Sequence, residues 1–241
     1  MKKLLLIAVV PLVLFTSCRG IFGKRVRGDG DIQTATRSIG SFNSVDVSGA
    51  IDLYVRQDSV PADVKIETDK NLLSYVDIFT EGSKLVIRNK DGFNLKPSKG
   101  IKVYVSSASY RKLEASGACD IYSENKINSS EQLDIELSGS SDAKLDLSAP
   151  KVTADLSGAC TITLKGETKA FSVEGSGSTD IKCMELLSED TDVDISGAGD
   201  AEVYASEKLN VDVSGAASVK YKGNASVSQK VSGAGSVKKV D

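Results

Sequence analysis

A Ser-Gly pair recurs eight times, at Ser48, Ser116, Ser138, Ser157, Ser176, Ser196, Ser214 and Ser232, and it organises the residues that could do chemistry. Two residues before the serine stand Asp46, Glu114, Glu136, Asp155, Glu174, Asp194 and Asp212, with Lys230 in the last copy. Four residues after it stand Asp52, Asp120, Asp142, Asp180 and Asp200, with Thr161, Ser218 and Ser236 in the remaining copies. Carboxylates held one strand apart repel, and such a column invites Ca²⁺, which takes about six to eight oxygen ligands. The candidate calcium ladder is Asp120, Asp142, Asp180 and Asp200. The plainer alternative is a solvated polar face whose Asp, Ser and Thr side chains cap backbone amides of the turn, with no cofactor and no metal. Lysines such as Lys144, Lys182 and Lys220 sit at outward positions and would neutralise the columns without a cation.

Cysteines and tyrosines are the other candidates. Cys119 and Cys160 share one offset, three residues after the serine, and Cys183 sits at an inward offset. Two strand spacings separate the first pair by about 9.6 Å, beyond the roughly 7 Å limit for a disulfide, so three buried free thiols are expected. Tyr54 and Tyr122 occupy the same outward offset, with Tyr204 nearby in its repeat. Stacked aromatics can bind sugar rings; the alternative is that they shield strand surface. The sequence holds no histidine, which removes Ser-His-Asp and Cys-His sites and the commonest zinc ligand. Acids that recur evenly do not make the one unequal constellation that catalysis needs, so no catalytic residue is assigned.

The elements that position these residues follow from the serine. Apolar side chains lie five, three and one residues before it, as in Leu133, Ile135 and Leu137, and return five and seven residues after it, as in Ile162 and Leu164. Each motif is flanked by two strands with one buried face, and the glycine turns the corner between them. After the second copy the serines fall 22, 19, 19, 20, 18 and 18 residues apart, within the range of a solenoid. The expected fold is all-β: a right-handed, single-stranded parallel β-helix with an elaborated N-terminal turn. A stack of antiparallel hairpins is the rival. Residues 31–241 form the folded domain, with a non-repeating insertion over 59–110 that caps the rod and regular repeats over 111–241.

The N-terminus addresses the chain. Lys2 and Lys3 precede an apolar run from Leu4 to Phe15, too short for a permanent span and the right size for a secretory signal. The run ends in Phe15-Thr16-Ser17-Cys18, which resembles a bacterial lipobox, so residues 1–17 are read as a signal peptide and Cys18 as the site of lipid attachment. Residues 18–30 are read as a lipidated flexible tether. Arg19, rather than an aspartate, follows the cysteine, which favours an outer-membrane lipoprotein, facing the periplasm rather than the cell surface. The partner expected first is therefore the membrane, through the lipid.

A formal charge of -3 argues against nucleic acid as a partner. The segments Phe42–Leu53, Asn71–Leu73, Leu85–Ile87 and Leu113–Ile121 together resemble the putative auto-transporter adhesin, head GIN domain family, over roughly residues 40–240. That resemblance implies a β-helical fold, secreted or lipid-anchored proteins, and no catalytic residues to carry over. The expected function is a lipid-anchored envelope binding module, adhesin-like, that presents a repetitive face to a glycan or another envelope protein. The competing readings are a carbohydrate-active enzyme and a structural envelope protein without a ligand.

Overall fold

The computed structural model describes residues 23–241, so the expected signal peptide and lipid site, residues 1–17 and Cys18, lie outside the described residues. The first half of the chain forms β1 (Lys24–Arg27), β2 (Ile32–Arg37), β3 (Ser44–Gly49), β4 (Asp52–Gln57) and β5 (Val64–Asp69). A 3-10 turn (Lys70–Tyr75) follows, then β6 (Val76–Glu81), β7 (Lys84–Asn89), β8 (Phe93–Lys96) and β9 (Lys102–Ser107). The second half forms β10 (Lys112–Gly117), β11 (Asp120–Ser123), β12 (Ile127–Asn128), β13 (Leu133–Gly139) and β14 (Asp142–Tyr204). It ends in β15 (Lys208–Lys222), β16 (Ser226–Gly233) and β17 (Ser236–Lys239). Among the described residues no helix is long and apolar enough to cross a membrane.

Alternation makes these strands. In β13 Leu133, Ile135 and Leu137 are buried while Asp134 and Glu136 face outward. Each fully buried Leu or Ile contributes about 1.5–3 kcal/mol, and the single core joins such residues from Val45 to Val219. The repeats pair in parallel with like on like: Ser116 stands beside Ser138, Ser138 beside Ser157, and Ser196 beside Ser214. Glycine is required where they turn. Gly139 has φ +83, and a Cβ there would come within 2.5 Å of the Gly117 carbonyl oxygen, which is backbone and cannot move aside.

The expected right-handed parallel β-helix is not what the chain forms. Fifteen strands join one mixed, nearly closed, barrel-like sheet. Its order runs β2-β5-β9-β4-β11-β14-β13-β10-β3-β7-β6, so β14 links two arms of the same sheet. The pairs β2–β5, β5–β9 and β6–β7 are antiparallel, whereas a single-stranded solenoid has one strand direction. The physical reason is that a repeat constrains only the register between neighbouring copies. Residues outside the repeats decide how the sheet ends.

The tether reading is corrected for its second half. Lys24–Arg27 is a strand, paired in parallel with Phe93–Lys96. Asp69, wholly buried, pins the segment that follows. Its carboxylate accepts hydrogen bonds from Gly30 N–H at 2.7 Å, Ser98 N–H at 2.8 Å and Ser98 Oγ at 2.7 Å. A Cβ on Gly28 would collide with that carboxylate. Burial works to raise the Asp69 pKa, but the hydrogen bonds from Ser98 and Gly30 outweigh it and hold the group below the ordinary aspartate value.

Candidate functional site

The parallel register turns the residue two before each motif serine into a continuous outward column. Glu114 of β10 stands beside Asp46 of β3 and Glu136 of β13, and Glu136 stands beside Asp155. Further along, Asp194 stands beside Asp212, and Asp212 beside Lys230. The motif serines run alongside, and Ser138 and Ser176 donate to the carbonyls of Ala115 and Leu156 in the preceding repeats. Acids and serines together line an open cleft of about 680 Å³.

Cations cover only the ends of this column. Lys84 Nζ lies 2.8 Å from Glu114 and 3.9 Å from Asp46, and Lys112 Nζ lies 3.0 Å from Glu114 and 2.8 Å from Glu136. At the far end Lys230 Nζ lies 2.8 Å from Asp212. Among the described residues Asp155, Glu174 and Asp194 have no ion pair. Burial works to raise the Glu114 carboxyl, but hydrogen bonds from Lys84 and Lys112 hold it below the ordinary glutamate value. Asp46 is pushed up, by burial first and then by its neighbour Glu114. The centre of the face is negative and open, and its chemistry is that of a hydrogen-bond-accepting surface for cationic or hydroxyl-bearing groups.

The second column is broken where the first is continuous. Asp120 stands beside Asp52 on one side and Asp142 on the other, and burial, then the Asp120 charge, raise the Asp52 pKa. Asp142 Oδ1 accepts the Thr161 N–H at 2.9 Å, so Thr161 separates Asp142 from Asp180. Asp180 lies 3.9 Å from Lys182, and Asp200 stands beside Ser218. Among the described residues no three acidic or thiol groups converge as a metal site. Lys220 engages Glu202 at 3.1 Å rather than either column.

Cys119, Cys160 and Cys183 are free and buried. The first two serve the turn. Cys119 Sγ donates to the Ser116 carbonyl at 3.4 Å and Cys160 Sγ to the Ser157 carbonyl at 3.5 Å, as Ser141 Oγ donates to the Ser138 carbonyl at 3.0 Å. Burial pushes the Cys119 thiol up to about 11 and the Cys183 thiol up to about 12, away from thiolate chemistry.

The tyrosines stack on one another. Tyr54 lies 4.7 Å from Tyr104 at an interplanar angle of 17°, and 5.3 Å from Tyr122 at 26°. Lys65 Nζ sits 4.2 Å over the outer face of the Tyr104 ring. Both faces of Tyr54 are thus taken by other rings and those of Tyr104 by Tyr54 and Lys65, while Tyr122 borders an open cleft with Lys144 and Lys182. Tyr122 also donates to Asp120 at 3.1 Å; burial, then the Asp120 charge, push its hydroxyl up to about 12. Tyr204 stands beside Lys222, outside the stack. Tyr104 belongs to the non-repeating segment, and only its alternation with Val103 and Val105 marked it as outward. Lys84 and Lys112 carried no signal in the repeat pattern, since each precedes its motif or lies outside it.

With this geometry in view, the comparisons with known proteins are specific. The sequence profile of the putative auto-transporter adhesin, head GIN domain family matches residues 41–225. This chain belongs to that family. No curated protein matches the sequence. A solved structure of a putative adhesin from Bacteroides fragilis is 21% identical, with a TM-score of 0.83 over 89% of this chain and 100% of that one. A putative lipid binding protein from Parabacteroides distasonis is 22% identical, with a TM-score of 0.68 over 90% of this chain and 100% of that one. A putative adhesin from Parabacteroides merdae is also 22% identical, with a TM-score of 0.63 over 90% and 99% of the two chains. These three structures share the fold.

Proposed function

We propose that this head GIN domain chain is a binding module of the cell envelope, held to the outer membrane by lipid on Cys18, that presents its carboxylate and serine face to a polar partner. The observation that carries the reading is the register-locked column itself. Equivalent acids repeat at each step from Asp46 to Asp212, with Asp155, Glu174 and Asp194 uncompensated at the centre. A repetitive array suits a repetitive ligand, a glycan or an extended segment of another envelope protein, through many equal weak contacts. The family description speaks of adhesion, which supports the same reading. The cleft is lined by acids and serines rather than by a deep apolar wall, which favours a polar ligand over a lipid chain. Calcium at Asp120 and Asp142 remains a separate proposal, tested by whether chelation lowers the melting temperature.

The deciding experiment is a glycan array together with pull-down from the envelope, comparing the chain with Asp155→Asn/Glu174→Gln/Asp194→Asn. Capture that the triple variant loses supports the face as the binding surface. Turnover of a polysaccharide sinks the module in favour of an enzyme. The anchor is tested by palmitate labelling, which Cys18→Ser should abolish.

A further inference from the structure

The two ends of the sheet are finished differently. At one end the arms finish in the antiparallel strands β2 and β6, which have one partner each but are partly covered, with Val76 of β6 buried. At the other, among the described residues, β16 and β17 each pair in parallel with β15 alone, leaving one edge of each strand without a backbone partner. Every residue of β16 is exposed. Val227 and Val231 occupy the columns that Leu209 and Val213 fill in the core, yet they are 37% and 39% exposed, with no strand among the described residues stacked over them. Unpaired amides, carbonyls and half-covered valines make a template for one more strand.

Charge selects what that strand is. Residues 131–207 hold five lysines and seventeen acids, a net of -12, whereas residues 208–241 hold six lysines and two aspartates, a net of +4. The change of sign is sharpest in the carboxylate column, where the eighth position is Lys230. One side of Lys230 is taken by Asp212 at 2.8 Å, and its side chain is 78% exposed. The molecule already shows a lysine held by two carboxylates: Lys112 reaches Glu114 of its own strand at 3.0 Å and Glu136 of the adjacent strand at 2.8 Å. A second copy of this end would bring lysine to lysine.

We propose that the β16–β17 edge binds an acidic extended segment of a partner polypeptide, which adds to β16 as a strand with apolar residues over Val227 and Val231 and a carboxylate beside Lys230. The edge lies beyond residues 41–225, the part matched by the family, and the proposal does not rest on the carboxylate face. Backbone pairing would supply affinity and the alternating side chains specificity.

The test uses the full-length chain and a labelled peptide with the sequence of residues 133–139, LDIELSG, against the same peptide with both acids replaced by their amides, LNIQLSG. The acidic peptide is expected to bind at least about ten-fold more tightly, as charge complementarity at an edge predicts. Lys230→Gln should lose most of that preference and Lys230→Glu all of it, while Lys151→Gln, exposed and remote from this edge, leaves it unchanged. Hydrogen exchange should slow in Ser226–Gly233 on binding. Equal binding of the two peptides, equal binding of polyglutamate, or protection confined to the carboxylate face would each overturn the proposal. So would sedimentation showing that the chain alone associates through this edge, which would make a second copy the occupant. Loss of envelope capture by the Asp155/Glu174/Asp194 variant, with peptide binding intact, separates this edge from the proposed adhesive face.

Discussion

Residues 31–110 and residues 131–225 build parts of one sheet by different means. In the repeats the backbone does the specifying: glycine corners lean on the carbonyl of the preceding glycine, and side chains need only be apolar inward and polar outward. In the earlier segment individual side chains specify: Asp69 pins Gly30 and Ser98, Tyr110 Oη donates to the Arg56 carbonyl at 2.9 Å, and Tyr54 is sandwiched between Tyr104 and Tyr122. The difference teaches where substitutions hurt. A repeat tolerates exchange of its side chains and not of its corner; the irregular segment tolerates its corners and not its particular side chains.

Glycine substitutions probe this contrast most strongly. Gly139→Ala must displace the Gly117 carbonyl as well as strain φ, and should cost roughly 3–4 kcal/mol or prevent folding, measured by urea unfolding. Gly82, at φ +62 with open space around it, should cost only about 1–2 kcal/mol as alanine. Equal losses at the two sites would erase the distinction between corners. Next comes Tyr54→Ala, expected to cost about 2 kcal/mol because it leaves Tyr104 and Tyr122 without a stacking partner. The outward Thr163→Ala, in the repeats, should change stability by less than about 0.5 kcal/mol.

Acid titration sharpens the comparison through Asp69. Its folded pKa lies below its unfolded value, so its stabilisation is fully present above the ordinary aspartate pKa near 3.8 and is lost as pH falls below it. Asp69→Asn should melt a few degrees lower at neutral pH and lose less stability than the parent between about pH 4 and 2. An unchanged acid profile would show that the pin contributes nothing. Lys84→Met removes a partly exposed pair with Glu114 and should cost less than about 1 kcal/mol, falling further in high salt.

The spacing of the serines made the repeat registers legible residue by residue, because a two-residue strand period and a fixed corner leave one way to stack like on like. It also made the buried thiols legible, since their offset places them inside the corner. The mixed, nearly closed sheet was not legible. It depends on β2, β5 and β6, whose antiparallel partners lie in the segment that breaks the period. The four-residue pairing of β1 with β8 joins residues about seventy positions apart, and in β1 only Val26 packs against the core, too little for an alternation to show in the sequence. Of the candidate site, both acidic columns were visible in the sequence. What it could not show was which acids are neutralised, because Lys84 reaches Glu114 from a strand outside the repeats.

The glycine corners also act as a ruler for the chain's history. Since each corner rests on the one before it, deleting a whole interval, such as residues 158–176, would again set glycine upon glycine and leave the ladder intact. Removing one residue from the same interval would set a side chain against a carbonyl and turn inward positions out. Duplication and loss of entire units is therefore the cheap route by which such a protein changes its reach, and relatives of different length should differ by whole intervals of about twenty residues.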